Sequence, residues 1–233
     1  MTGGVGVGCG AVVSGAVLVV AKAPVPGLAK TRLAARVGPD AAADIAASAL
    51  LDLLAAVRSS GARLLVAMTG ELAAAARSVE VATALAGAEL FAQRGDAFAD
   101  RLASAHADAR TLVGPGEPIL QVGMDTPQLN AALLSDSLRI AAGRDAVLGP
   151  ADDGGWWALS VRDPAWAEAL RGVPMSQADT GALTAAALEG EGVEVTMLAP
   201  LRDVDTWDDA EQVARTAPAG RFAAAVAAAA RAF

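Results

Sequence analysis

The residues able to do polar chemistry gather in a few short stretches. Lys22 and Lys30, the only lysines in the chain, fall with Arg32 in one loop. Carboxylates follow in separate groups: Asp125, then Asp152 and Asp153, then Asp203 and Asp205. Cations on one side of a cleft and separate carboxylates on the other suit a divalent cation plus a polyphosphate. Mg²⁺ commonly takes one or two carboxylates and completes its shell with phosphate oxygens.

Each group also has a plainer explanation. Asp125 stands before Thr126-Pro127, where Asp serves equally as a turn residue or helix cap. Asp152-Asp153-Gly154-Gly155 reads as a tight turn. Asp205-Thr206 precedes a helical stretch, and capping is the stronger reading of Thr206. Lys30 and Arg32 could be solvated surface cations. The chemical reading rests on all of these features falling after strands, since ligands of an open α/β sheet bind outside the carboxyl ends of its strands.

Other sites fall away. Gly4-Val5-Gly6-Val7-Gly8-Cys9-Gly10 lacks the G-x-G-x-x-G spacing and a preceding strand, and no G-x-x-x-x-G-K-[ST] occurs. Cys9 and His106 are the sole Cys and His, which excludes an internal disulfide and a Cys/His zinc site. His106, between Ala105 and Ala107 on a helix, suits a structural or solvent-facing role, and a single histidine with no G-x-S-x-G argues against a serine hydrolase triad.

The elements that must position these residues alternate along the chain in a βα rhythm. Expected strands are 16–21, 63–68, a weak one near Leu90, 118–122, 146–148, 156–161 and 193–198. One of Trp156 and Trp157 should face the core. Expected helices are 40–58, 71–77, 98–110, 128–142, 178–190 and most of 208–233. With 233 residues and no internal repeat or linker, the economical organisation is one α/β domain over 16–233 behind a flexible Gly-rich leader, 1–15.

Composition agrees. The chain is 54% hydrophobic and 19% charged, which excludes disorder. Its mean hydropathy of +0.42 reflects abundant alanine rather than a membrane span, because the longest uncharged stretch, 1–21, is interrupted by Gly3, Gly4, Gly6, Gly8, Gly10 and Gly15. That stretch lacks the basic start of a secretory signal, so the expected location is cytoplasmic. A net charge of -8 argues against nucleic acid as a partner.

Four ordered motifs resemble the bacterial glycosyltransferase A (GT-A) proteins of the former unknown-function, arsenosugar-biosynthesis-like type. Ala21-Lys22-Ala23-Pro24-Val25-Pro26-Gly27 with Lys30-Thr31-Arg32-Leu33 is similar to their opening signature. Gly123-Met124-Asp125-Thr126-Pro127 is similar to G-S-D-x-P, 149–155 to G-P-A-x-D-G-G, and Asp203-Val204-Asp205-Thr206 to D-V-D-T. The resemblance spans roughly Val17 to Val213. Departures lie on the acceptor side that it implies: Trp156-Trp157 where the family has tyrosine, Met124 for a small Ser, and Met175-Ser176 for Trp-Ser.

The resemblance implies a three-layer GT-A sandwich on a mostly parallel mixed sheet, shared with nucleotidyltransferases. It implies a nucleotide wrapped by Ala21, Lys22, Ala23, Pro24, Gly27, Lys30 and Arg32, with Gln93 and Gly95 lining the same cleft. It places a divalent cation, Mg²⁺ or Mn²⁺, on Asp125 and Asp205. The expected activity is glycosyl transfer from a nucleoside-diphosphate sugar to a small-molecule acceptor, with Asp153 as base and Lys30 as a catalytic cation. The alternatives are nucleotidyl transfer from an NTP, releasing pyrophosphate, and nucleotide binding without catalysis. A homodimer stays open.

Overall fold

The computed structural model describes residues 15–232. Strand β1 (Ala16–Lys22) shows why the sheet forms. Its run of small and branched apolar residues is buried on both faces, as expected of a strand covered by helices on each side. Val17, Val19 and Ala21 enter one core, while Ala16, Leu18 and Val20 enter the other.

Six further strands follow: β2 (Arg63–Thr69), β3 (Glu89–Ala92), β4 (Ile119–Gly123), β5 (Ala146–Pro150), β6 (Trp156–Val161) and β7 (Val195–Met197). They pair in the order β3-β2-β1-β4-β6-β5-β7, and β6 runs antiparallel to both its neighbours. This is the expected mostly parallel mixed sheet. Trp157 is the member of its pair that enters the core, at 2% exposure.

One face is covered by α2 (Pro39–Ser60), α3 (Ser78–Leu85) and α5 (Ala131–Ala141). The other carries α4 (Phe98–Leu112), α6 (Thr180–Gly190) and a 3₁₀ segment, Pro164–Gly172. A third cluster lies beyond α2, where Ile45 meets Leu33 of α1 (Thr31–Val37), Val213 of α7 (Trp207–Thr216) and Phe222 of α8 (Arg221–Ala230). Among the described residues no helix is long and apolar enough to cross a membrane.

Three expected elements differ, each for a local reason. The helix expected over 71–77 is a 3₁₀ turn, Leu72–Ala74, and α3 starts only after Arg77. Arg77 is left-handed (φ 51°), and its guanidinium grips Asp44 at 2.7 and 3.0 Å. The helix expected from Gln128 starts at Ala131 because Asn130 caps it, accepting from Leu133 N at 3.0 Å. The last helical stretch splits at Gly220 (φ 136°), where Asp52 accepts from Arg221 N and Phe222 N and caps α8. Helix α1 and the Pro164–Gly172 segment were not foreseen. The leader and Cys9 lie outside the described residues, apart from Gly15.

Candidate active site

The loops after β1, β4, β5 and β7 meet at the carboxyl edge of the sheet, over the β1/β4 junction. The chain leaves β1 for β2 on one side, while β4 lies on the other. That reversal opens a crevice, as at the switch point of other doubly wound sheets. Two adjoining hollows of about 360 and 450 Å³ occupy it.

The loop after β1 is fixed to its neighbours. Ala23 N donates to Thr69 O at the end of β2, and Pro24 O accepts from Ala76 N. A turn through Gly27 (φ 77°) brings Leu28 N back to Val25 O. Lys22 Nζ donates to Leu28 O at 2.8 Å, bracing the loop from inside. The loop ends on Lys30, whose left-handed backbone (φ 50°, ψ 51°) costs a non-glycine residue roughly 1 kcal/mol. That conformation accompanies a buried ammonium at the carboxylates opposite.

Lys30 Nζ lies 2.9 Å from Asp125 Oδ1 and 3.0 Å from Asp205 Oδ1, and its side chain is 12% exposed. Burial is the largest single influence on this ammonium and works against its charge. The two carboxylates together outweigh burial and leave the pKa above the ordinary lysine value. Arg32, 72% exposed, holds the other oxygen of Asp205 at 3.1 Å.

The acidic loops are stitched together by backbone. Asp152 N donates to Leu201 O, Leu201 N to Pro150 O, and Val204 N to Asp125 O. Asp152 is engaged by Arg202 at 3.0 Å. That leaves Asp153 at the cleft, its Oδ1 accepting from Gly155 N at 2.8 Å, so the turn reading of Asp153 holds alongside any chemical role. Gly154 (φ 90°) packs its backbone on the start of α6, where a Cβ would meet Ala178 O at 1.9 Å.

Asp153, Asp203 and Asp205 each offer a carboxylate oxygen, all within 4.8 Å of one another. An all-oxygen donor set suits a hard cation. Opposite ligands of Mg²⁺ lie roughly 4.2 Å apart, a spacing close to the spread of these oxygens. Burial first, then the charges of Asp153 and Asp205, push the Asp203 carboxyl up to about 6. Like charges are therefore held together at some cost, and a cation would relieve it.

The expected residues divide by position. Ala21, Lys22, Gln93, Asp125, Asp153 and Asp205 line one hollow, and Lys30 and Arg32 join Lys22, Asp125 and Asp205 around the other. Ala23, Pro24, Gly27 and Gly95 line neither hollow and shape the loops instead. Gly95 (φ 124°) lets its loop close on Asp100, where a Cβ would come within 2.5 Å. Gln93 Nε2 is spent bridging the carbonyls of Ala21 and Ala67. Thr206 caps α7 with Asp209, as its position suggested.

Asp203 stands among the carboxylates of the sequence but was given no role, although an extended D-x-D spacing puts it on one side of the chain with Asp205. Trp156, Phe98, Arg101 and Met175 also line the hollow of about 360 Å³. No sequence spacing links these four. His106 takes the structural role: it is wholly buried, and burial pulls its pKa down to about 4.

Sheet order, crevice and charge placement define a GT-A-like domain of the nucleotide-diphospho-sugar transferase class of folds. The chain belongs to the family described as "Uncharacterized protein conserved in bacteria (DUF2064)", whose family model matches residues 51–177. It is similar to the crystal structure of a candidate nucleotide-diphospho-sugar transferase from Desulfovibrio desulfuricans G20, with 27% identity, 87% of each chain covered and a TM-score of 0.76. Its fold is also that of Rv0371c from Mycobacterium tuberculosis H37Rv in complex with manganese, at 22% identity over 87% of this chain and 100% of that one (TM-score 0.54). A third likeness is a CMP:2-keto-3-deoxy-manno-octonic acid synthetase complexed with CTP, at 12% identity over 88% and 98% of the two chains (TM-score 0.52). No curated protein matches the chain.

Proposed function

We propose that the protein is a metal-dependent glycosyltransferase that moves a sugar from a nucleoside-diphosphate donor to a small-molecule acceptor. The observation that carries this reading is the meeting of Lys30, Asp125 and Asp205 beside Asp153 and Asp203 in one crevice. The likeness to a candidate nucleotide-diphospho-sugar transferase supports the donor class, and the manganese complex of a protein with the same fold supports a divalent cation.

In this reading the loop that follows Ala21, shaped by Ala23, Pro24 and Gly27, wraps the nucleotide, with Gln93 across the cleft and Gly95 shaping the loop behind it. Lys22, Lys30 and Arg32 face its phosphates. Asp125 and Asp205, flanked by Asp203 and Asp153, hold Mg²⁺ or Mn²⁺, which would neutralise charge on the departing nucleoside diphosphate. Lys30 and Arg32 add fixed positive charge beside that leaving group. Asp153 takes the acceptor's proton.

A second reading, nucleotidyl transfer, draws on the fold shared with a CTP-bound synthetase. Lys30 would then stabilise charge at the α-phosphate. Incubation with Mn²⁺ and separate panels of NTPs and UDP-, GDP- and dTDP-sugars distinguishes the two. Release of nucleoside diphosphate from one sugar donor supports glycosyl transfer; pyrophosphate from an NTP would replace it with the second reading. Binding without turnover across a broad acceptor panel would leave a nucleotide-binding protein.

A further inference from the structure

Lys30 occupies the position that the proposed cation needs. Its ammonium touches Asp125 Oδ1 and Asp205 Oδ1 at once, at 2.9 and 3.0 Å, while Arg32 takes the remaining oxygen of Asp205. A divalent ion bound to those carboxylates would sit about 2.1 Å from each ligating oxygen. The ion and the ammonium would then compete for the same oxygens and stand within a few ångströms of each other as like charges. Each therefore weakens the other's hold on the pair.

The surroundings supply an exit. The hollow of about 450 Å³ is lined by Lys22, Lys30, Thr31 and Arg32 on one side and by Asp125 and Asp205 on the other. An anionic diphosphate entering it would offer Lys30 and Arg32 new partners and so offset the loss of the carboxylates. The freed carboxylates would then face a cation that the diphosphate also ligates.

We propose that Lys30 is an internal counter-ion that keeps the Asp125–Asp205 pair from binding a divalent cation until a nucleoside diphosphate draws its ammonium away. Cation and nucleotide therefore bind cooperatively, each raising the affinity of the other by the same factor. This inference rests on the proposed metal-dependent nucleotide site, but its first part, exclusion of the ion by Lys30, requires no nucleotide to test.

The experiment is a Mn²⁺ titration of the full chain, read by the loss of free-ion EPR signal, with Mn²⁺ alone and then with UDP, GDP, CDP, dTDP or ADP. It uses wild type, Lys30→Met and Lys30→Asn. Asparagine tolerates the left-handed backbone, so Lys30→Asn keeps the test intact should Lys30→Met fail to fold. Wild type should bind Mn²⁺ alone weakly and at least tenfold more tightly with one of the nucleotides. Either variant should bind Mn²⁺ alone at least tenfold more tightly than wild type and lose most of the enhancement by nucleotide.

Unchanged or weaker binding of Mn²⁺ alone in a folded variant overturns the inference, whatever the nucleotides do. A gain in the variants without any nucleotide effect in wild type upholds the exclusion by Lys30 and overturns the coupling, and with it the nucleotide reading of the cleft.

Discussion

The carboxylate cleft and the enclosed pair His106–Gln121 both put polar groups against the same sheet, and they resolve the cost in opposite ways. In the cleft, Lys30 and Arg32 stand against Asp125 and Asp205, while burial and two neighbouring like charges push the Asp203 carboxyl up to about 6. Between β4 and α4, His106 lies against Gln121 and the Val161 carbonyl, and these contacts are too loose to count as formed hydrogen bonds. Burial first, then the Arg110 charge, keep His106 neutral down to about pH 4. Charge is kept at Lys30, where two carboxylates face it, and is discarded at His106, where packing surrounds it.

This contrast can be broken first at the backbone that assembles the cleft. Gly154→Ala drives a Cβ to 1.9 Å from Ala178 O at a positive φ. A loss of about 4 kcal/mol in chemical denaturation is expected, since neither backbone can retreat cheaply. A loss under about 1 kcal/mol would mean that the loop does not depend on this close approach.

The two regions should also tilt stability with pH in opposite senses. His106 has a folded pKa below its unfolded value of about 6.5. Its contribution is complete above that value and is lost as pH falls from 6.5 towards 4, amounting to about 3 kcal/mol. Relative to wild type, His106→Gln should lose less stability over that interval in denaturation curves taken at stepped pH. Asp203 has a folded pKa above its unfolded value, so the native state binds more protons between about pH 4 and 6 and stability falls as pH rises through that window. Asp203→Asn removes this slope and should raise Tm at pH 7.5 by about 2 °C in metal-free buffer. If both variants change the pH profile in the same direction, the contrast fails.

The sequence made the sheet legible because its strands are short apolar runs bounded by Pro, Gly and Asp. The acidic loops were legible because each follows a strand. Helix α1 was not, because it begins at a left-handed lysine whose conformation is tied to carboxylates distant in the chain. Arg77 hid the true start of α3 in the same way, through Asp44. At the site, Lys30, Asp125 and Asp205 stood out by type and by motif. Asp203 joins them only because the backbone of 201–204 is zipped to Pro150, Asp152 and Asp125, a pairing with no local signature. For His106 the sequence left a structural and a solvent-facing role open, and packing decides for the first.

The central claim is that the carboxylates and the basic loop act together on a metal-bound nucleotide. Its most direct test is the affinity of the UDP, GDP, CDP, dTDP and ADP panel for wild type and Asp125→Ala, measured by calorimetry with and without Mn²⁺. The account predicts that Mn²⁺ tightens at least one nucleotide tenfold or more in wild type and that Asp125→Ala abolishes the enhancement. An enhancement of the same size in Asp125→Ala would contradict it.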